Sequence, residues 1–70
     1  MDNKEELQNR FTYHAPTEDQ KSIYEGIRKM GLVLASMIDD LCPDSREKSL
    51  ALTKVDEAVM WSNAAVARRS

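Results

Sequence analysis

The sequence is poor in every residue that staples or ligates: one cysteine, one histidine, two glycines and two prolines in 70 positions. A lone cysteine excludes a disulfide within the chain. One cysteine and one histidine are too few for an intrachain zinc site, so no metal is expected. No nucleophile stands beside a base, and no glycine-rich phosphate loop is present. Asp39-Asp40 and Asp56-Glu57 are carboxylate pairs, but neighbours on a helix point about 100° apart and read as solvated charge. An enzyme is not expected, nor a cofactor. No apolar run approaches the roughly 18 residues of a membrane span and no signal-peptide pattern opens the chain, which predicts a soluble intracellular protein. The net charge of −2 speaks against a binder of DNA or RNA polymers, which should be basic. It leaves room for a small anion held by a few local cations.

What is abundant is alanine, leucine, glutamate and lysine, and this predicts an all-α fold. The whole chain, 1–70, fits one small domain. At this length a lone core rarely supplies more than about 3–5 kcal/mol, so a staple is needed. With disulfide and metal excluded, self-association remains. The last third of the chain points the same way. From Ala58 to Ala67 no side chain is ionisable. On a helix, Leu52, Val55, Val59 and Val66 form one stripe, and Ala51, Ala58, Trp61 and Ala65 a second beside it. Met60, Ala64 and Ala67 fall on the far side, where a monomer's surface helix should be polar. One neighbouring helix cannot cover so much apolar surface, so a homo-oligomer is expected.

Along the chain, a short N-terminal helix should start at Asp2 or Asn3, with Glu5 or Glu6 in capping-box position. Its only apolar residues, Leu7 and Phe11, should pin it. The helix and the arm after it occupy 1–16. Thr17, with Gln20 three residues on, marks the start of a helix over 17–41. Ile23, Ile27, Met30, Leu34, Met37, Ile38 and Leu41 share its predicted core face. Gly26 and Gly31 lie off that face, each costing about 1 kcal/mol against alanine, so core packing does not account for both. A partner helix or a ligand approaching closely would, and Leu32, also off the face, suggests a second contact surface. Cys42-Pro43-Asp44-Ser45 breaks the helix, with Asp44 or Ser45 as the next cap. Cys42 reads as a small buried apolar residue. The last helix spans 44–69, and so short a link makes the pair a long antiparallel hairpin.

One group of residues suits anions and bases. Tyr24 and Arg28 are an i,i+4 pair with Lys29 adjacent, and Tyr13 is on the arm leading into that helix. Arginine can bind phosphate oxygens bidentately, and a tyrosine ring can stack on a nucleobase. The bland alternatives are an Arg28–Glu25 ion pair, and Phe11 and Tyr13 merely pinning the arm. For Arg68 and Arg69 the bland alternative is compensation of the helix dipole.

The arm FTYHAPT, the helix segment IYEGIRK and the block LCPDSREKSLALTKVDEAVMWSNAAVAR resemble the phage anti-CBASS cyclic-oligonucleotide sponges. These share a hairpin domain with an anti-Thoeris sponge family. The resemblance covers about residues 11 to 69, and the last block carries most of its specificity. It implies a helical homo-hexamer in the cytoplasm of an infected bacterium that sequesters immune second messengers without cleaving them. It further implies cyclic dinucleotides held between protomers, with cyclic trinucleotides in separate pockets in some members. On that resemblance the stacking tyrosine falls on Tyr13 and the phosphate-contacting lysine on Arg28, a basic replacement of different shape. The trinucleotide-contacting arginine falls on Arg68, with Arg69 as its rival. The alternative is a small helical module that binds a protein partner and no nucleotide.

Overall fold

The computed structural model describes residues 3–70 and holds three helices, α1 (Asn3–Phe11), α2 (Glu18–Leu41) and α3 (Arg46–Arg69). α2 and α3 form the antiparallel hairpin that the short link predicts. Asp2, one of the two expected caps of α1, lies outside the described residues; Asn3 is the first residue of the helix itself.

Local chemistry fixes the ends of the hairpin. Thr17 is extended at φ −77° and ψ 169° and caps α2. Gln20 N donates to its hydroxyl at 3.1 Å, and Thr17 N donates back to Gln20 Oε1 at 3.0 Å. This reciprocal capping box satisfies two amides that the first turn leaves orphaned. Of the two candidates for the second cap, Ser45 is the one used, its hydroxyl accepting from Lys48 N at 3.1 Å. Lys48 then locks the turn. Its Nζ donates to the carbonyl of Asp39 at 2.8 Å and reaches the carboxylates of Asp44 at 2.9 Å and Asp39 at 3.2 Å. The last turn of α2 carries no cation of its own, so Lys48 brings one from α3 to the negative end of the helix dipole. Its ammonium is held above the ordinary lysine range, first by the hydrogen bond to Asp44. Asp39, read as solvated charge, thus has a partner.

α3 presents Leu52, Val55, Val59 and Val66 to the hairpin seam, all half-buried, as its first apolar stripe predicts. α2 differs from expectation. Its half-buried line is Tyr24, Ile27, Gly31, Ala35 and Ile38, whereas Ile23, Met30, Leu34, Met37 and Leu41 are exposed. The helices close on the small-residue side of α2, because the missing side chain of Gly31 admits Val59. A Cβ at Gly31 would lie 2.6 Å from Val59 Cγ2. Gly31 therefore belongs to the seam. Gly26 has nothing within 4 Å.

Those two glycines give opposite expectations. Gly31→Ala forces a stiff β-branched neighbour to move, an overpacking cost of about 1–3 kcal/mol that exceeds the roughly 1 kcal/mol gained in helix propensity. Gly26→Ala collects that gain in open space. Thermal melts should therefore move down for the first and up for the second.

None of the described residues is buried. Cys42, expected to be a small buried residue, is exposed, as are Pro43 and Asp44 beside it in the turn. The chain measures 45 × 28 × 16 Å with a radius of gyration of 15.3 Å, against about 11 Å for a compact chain of this length. Its accessible surface is 5765 Å², whereas a folded monomer of this mass should expose about 4,450 Å². Among the described residues no helix is long and apolar enough to cross a membrane.

Candidate functional site

The N-terminal arm and the C-terminal turn of α3 meet through polar contacts. Phe11 is 85% exposed and Leu7 about half exposed, so they do not pin α1 as expected. Instead Arg69 Nη2 donates to both carboxylate oxygens of Glu6, at 2.8 and 3.0 Å, and Arg10 Nε donates to the same carboxylate at 3.0 Å. Asn9 Nδ2 donates to the carbonyl of Arg68 at 3.2 Å. The arm folds back as His14 Nε2 donates to the carbonyl of Asn9 at 3.0 Å and the Thr12 hydroxyl to that of Gln8. Gln20, already in the capping box, donates through Nε2 to the carbonyls of Val66 at 3.3 Å and Ser70 at 3.0 Å. Val66 O also accepts from the capping amide of Ser70 at 3.3 Å, whereas the carbonyls beyond it in the last turn have no later helical amide to pair with. Side-chain amides from α1 and α2 reach the carbonyls of Arg68, Val66 and Ser70, and all three helices converge at one end.

That convergence borders an open cleft of about 470 Å³ lined by side chains from the end of α1, the arm, the first turns of α2 and the end of α3. The volume falls in the range of about 300–1,000 Å³ usual for small-molecule sites. Tyr13, Arg28 and Arg68 all border it, and so do Tyr24, Arg10 and Asn63. Ala64 and Ala67, placed by periodicity on the far side of α3, form its small-residue wall. No carboxylate lines this cleft, yet three arginines do, in a chain whose net charge is −2. Arg10 is shared with Glu6, but Arg28 forms no ion pair with Glu25 or with any other described residue, and neither does Arg68. Tyr13 is 85% exposed, so its ring is not spent on packing the arm. The cleft thus offers cations and an aromatic face together, which is what a phosphate bearing a flat base requires.

Arg69 is placed differently. Its guanidinium grips Glu6, does not line that cleft, and helps to line a second hollow with Phe11, Trp61 and Arg68. Arg68 borders both spaces. Sequence reading named Tyr13, Tyr24, Arg28, Arg68 and Arg69 but passed over Arg10 and Asn63 at this place. Arg10 carried no signal apart from charge. Asn63 carried a weak one, as one of two polar residues in the uncharged stretch Ala58 to Ala67.

The Glu6 contacts make the end of the fold acid-sensitive. Hydrogen bonds from Arg69 and then Arg10 hold the Glu6 carboxyl below its ordinary value of 4.5. A carboxyl depressed in the folded state stabilises fully above the unfolded value and loses that contribution as pH falls through the folded one. The hold of α3 on α1 should therefore weaken progressively as pH falls from about 4.5 through the lower folded-state value. Trp61, the sole tryptophan, borders the same hollow as Glu6, so its emission should change over that interval. In Glu6→Gln the transition should vanish, and the pH 7 emission should already resemble the acid form.

Among the described residues no group of three or more histidines, cysteines or acidic residues could hold a metal ion. The family model for the hairpin domain of Acb2/Tad1 matches residues 3–67 of the chain. No curated protein and no solved structure matches it.

Proposed function

The chain belongs to the Acb2/Tad1 hairpin family, a family of phage sponges for cyclic nucleotides, and from that premise we propose that it captures cyclic dinucleotides and releases them intact. Captured messenger is withheld from the effectors of bacterial CBASS immunity in the cytoplasm of the infected host. The observation that carries this reading is the carboxylate-free cleft with Tyr13 and the unpaired Arg28 on its rim.

The proposed binding unit is a pair of chains within a homo-hexamer. A cyclic dinucleotide is close to two-fold symmetric, and a two-fold interface presents the same patch twice. One Tyr13 and one Arg28 from each chain then cover two bases and neutralise two phosphates. The excess of exposed surface over that of a compact monomer supports assembly, as does the open flank of Met30, Leu34 and Met37. Burial between chains lowers the local dielectric and strengthens the charged contacts. A sponge must compete with the host's receptor, for which nanomolar affinity, about −12 kcal/mol, is a sensible requirement. Cyclic trinucleotides are the proposed ligands of a second place, for which Arg68, bordering the second hollow beside Trp61, is the candidate contact. Arg69 is the weaker candidate, since its guanidinium already holds Glu6.

The experiment is a melt with and without a cyclic dinucleotide, followed by heat release and chromatography of the ligand. Saturation at 100 times the dissociation constant should add about 2.7 kcal/mol of stability, and the recovered nucleotide should be unchanged. A cleaved product would mark a hydrolase. No shift with any cyclic di- or trinucleotide would leave the protein-binding module as the reading.

A further inference from the structure

Asn63 sits in the wall of the cleft beside Ala64 and Ala67. Its Oδ1 is buried and has no hydrogen-bond partner among the described residues. As placed, it is an acceptor that no described donor reaches. Folded proteins leave few such groups, because a buried amide without a partner is costly. Helix formation does not ask for it either: alanine is the better helix former and stands next to it in the same wall. The free protein therefore carries a polar atom without a partner, on a residue that lines the cleft.

We propose that Asn63 reads the nucleobase in this cleft, pairing its carboxamide with the donor–acceptor edge of adenine. The proposal rests on the nucleotide-binding reading of the same cleft and adds to it a choice of base. Arg28 on a phosphate positions a nucleotide without regard to its base. The ring of Tyr13 stacks on any base, since each has a π-face. The amide is different, because its acceptor and its donors lie side by side in one plane. Adenine offers a matching N6–H donor and N7 acceptor, whereas guanine presents two acceptors on that edge, O6 and N7. A change at χ1 that swings the whole carboxamide to the cleft surface presents its acceptor and its donors to the base edge together, and the ligand replaces the missing partner.

The test is calorimetric titration of the whole protein with cyclic di-AMP and cyclic di-GMP. The wild type should bind cyclic di-AMP at least tenfold more tightly. Asn63→Leu keeps the shape and removes both polar functions. It should lose at least tenfold on cyclic di-AMP and less than threefold on cyclic di-GMP. Its ligand-free melting temperature should rise, because the orphaned oxygen is gone; an asparagine with only a structural role would make it fall. Asn63→Ala is the second variant and should flatten the preference in the same way. Wild type that binds both ligands equally, or a preference that survives in both variants, overturns this inference alone. Variants that change the sedimentation of the protein also overturn it, by placing Asn63 in a contact between chains. Wild type that binds neither ligand ends the sequestration reading, and this inference with it.

Discussion

Arg28→Ala is expected to weaken cyclic dinucleotide binding by a hundredfold or more while leaving the ligand-free protein as stable as before. Hydrogen bonds to a charged partner contribute about 1.5–3 kcal/mol each. A symmetric ligand meets Arg28 twice, once from each chain, so the loss is about 3–6 kcal/mol, or roughly two to four decades in affinity. Stability should be spared because the side chain is exposed and forms no ion pair among the described residues. Surface substitutions of that kind usually stay within about 0.5 kcal/mol. Arg28→Lys keeps the charge and loses the planar fork, so it should fall between wild type and alanine. Tyr13→Ala removes a stack from each of two bases, at about 1–3 kcal/mol per base. Titration calorimetry of the three variants, with parallel melts, checks the set. Unchanged affinity in Arg28→Ala and Tyr13→Ala would place the ligand elsewhere.

Leu34→Glu should dissolve the assembly. Leu34 is about half exposed on a single chain, lies between Met30 and Met37, also exposed, and with Met30 lines an open apolar groove against Val55 and Ala58 of α3. A second copy seated there would bury the new carboxylate among apolar groups, at a cost of several kcal/mol per site. That penalty recurs in every subunit. In sedimentation velocity the wild type should run as a multiple of 8.0 kDa, and the variant as a single chain. Melting of the wild type should also depend on protein concentration, as for any fold completed by association. The variant's affinity for cyclic dinucleotide should drop with its assembly, because each separated chain keeps only one Tyr13 and one Arg28. A wild type that sediments as a stable, folded single chain would refute the oligomeric reading.

The Gly31 seam marks where sequence reasoning failed. Periodicity located the large apolar residues of α2 correctly but could not say which side of them faces α3. Hydrophobicity ranks a stripe of Met, Leu and Ile above one of Gly and Ala. Close packing can reverse that order, because a missing Cβ lets the backbones approach. The same shortfall put Ala64 and Ala67 on an open far side, where they line the cleft instead. Expecting Leu7 and Phe11 to anchor α1 assumed that apolar residues do the anchoring. Glu6, Asn9 and His14 do it, through partners some 60 residues away in the case of Arg68 and Arg69.

By itself the sequence determined the helices and the hairpin, since these follow from short-range rules. The capping box at Thr17 and Gln20, the proline after Cys42 and the cap at Ser45 each act within a few residues. It also named Tyr13, Arg28 and Arg68 as residues suited to a phosphate and a base. Only the tertiary structure decided that these three border one cleft, that no carboxylate lines it, and that Asn63 is left there without a partner. The reason is that such facts depend on the angle and depth at which distant segments meet, and packing sets these where periodicity cannot.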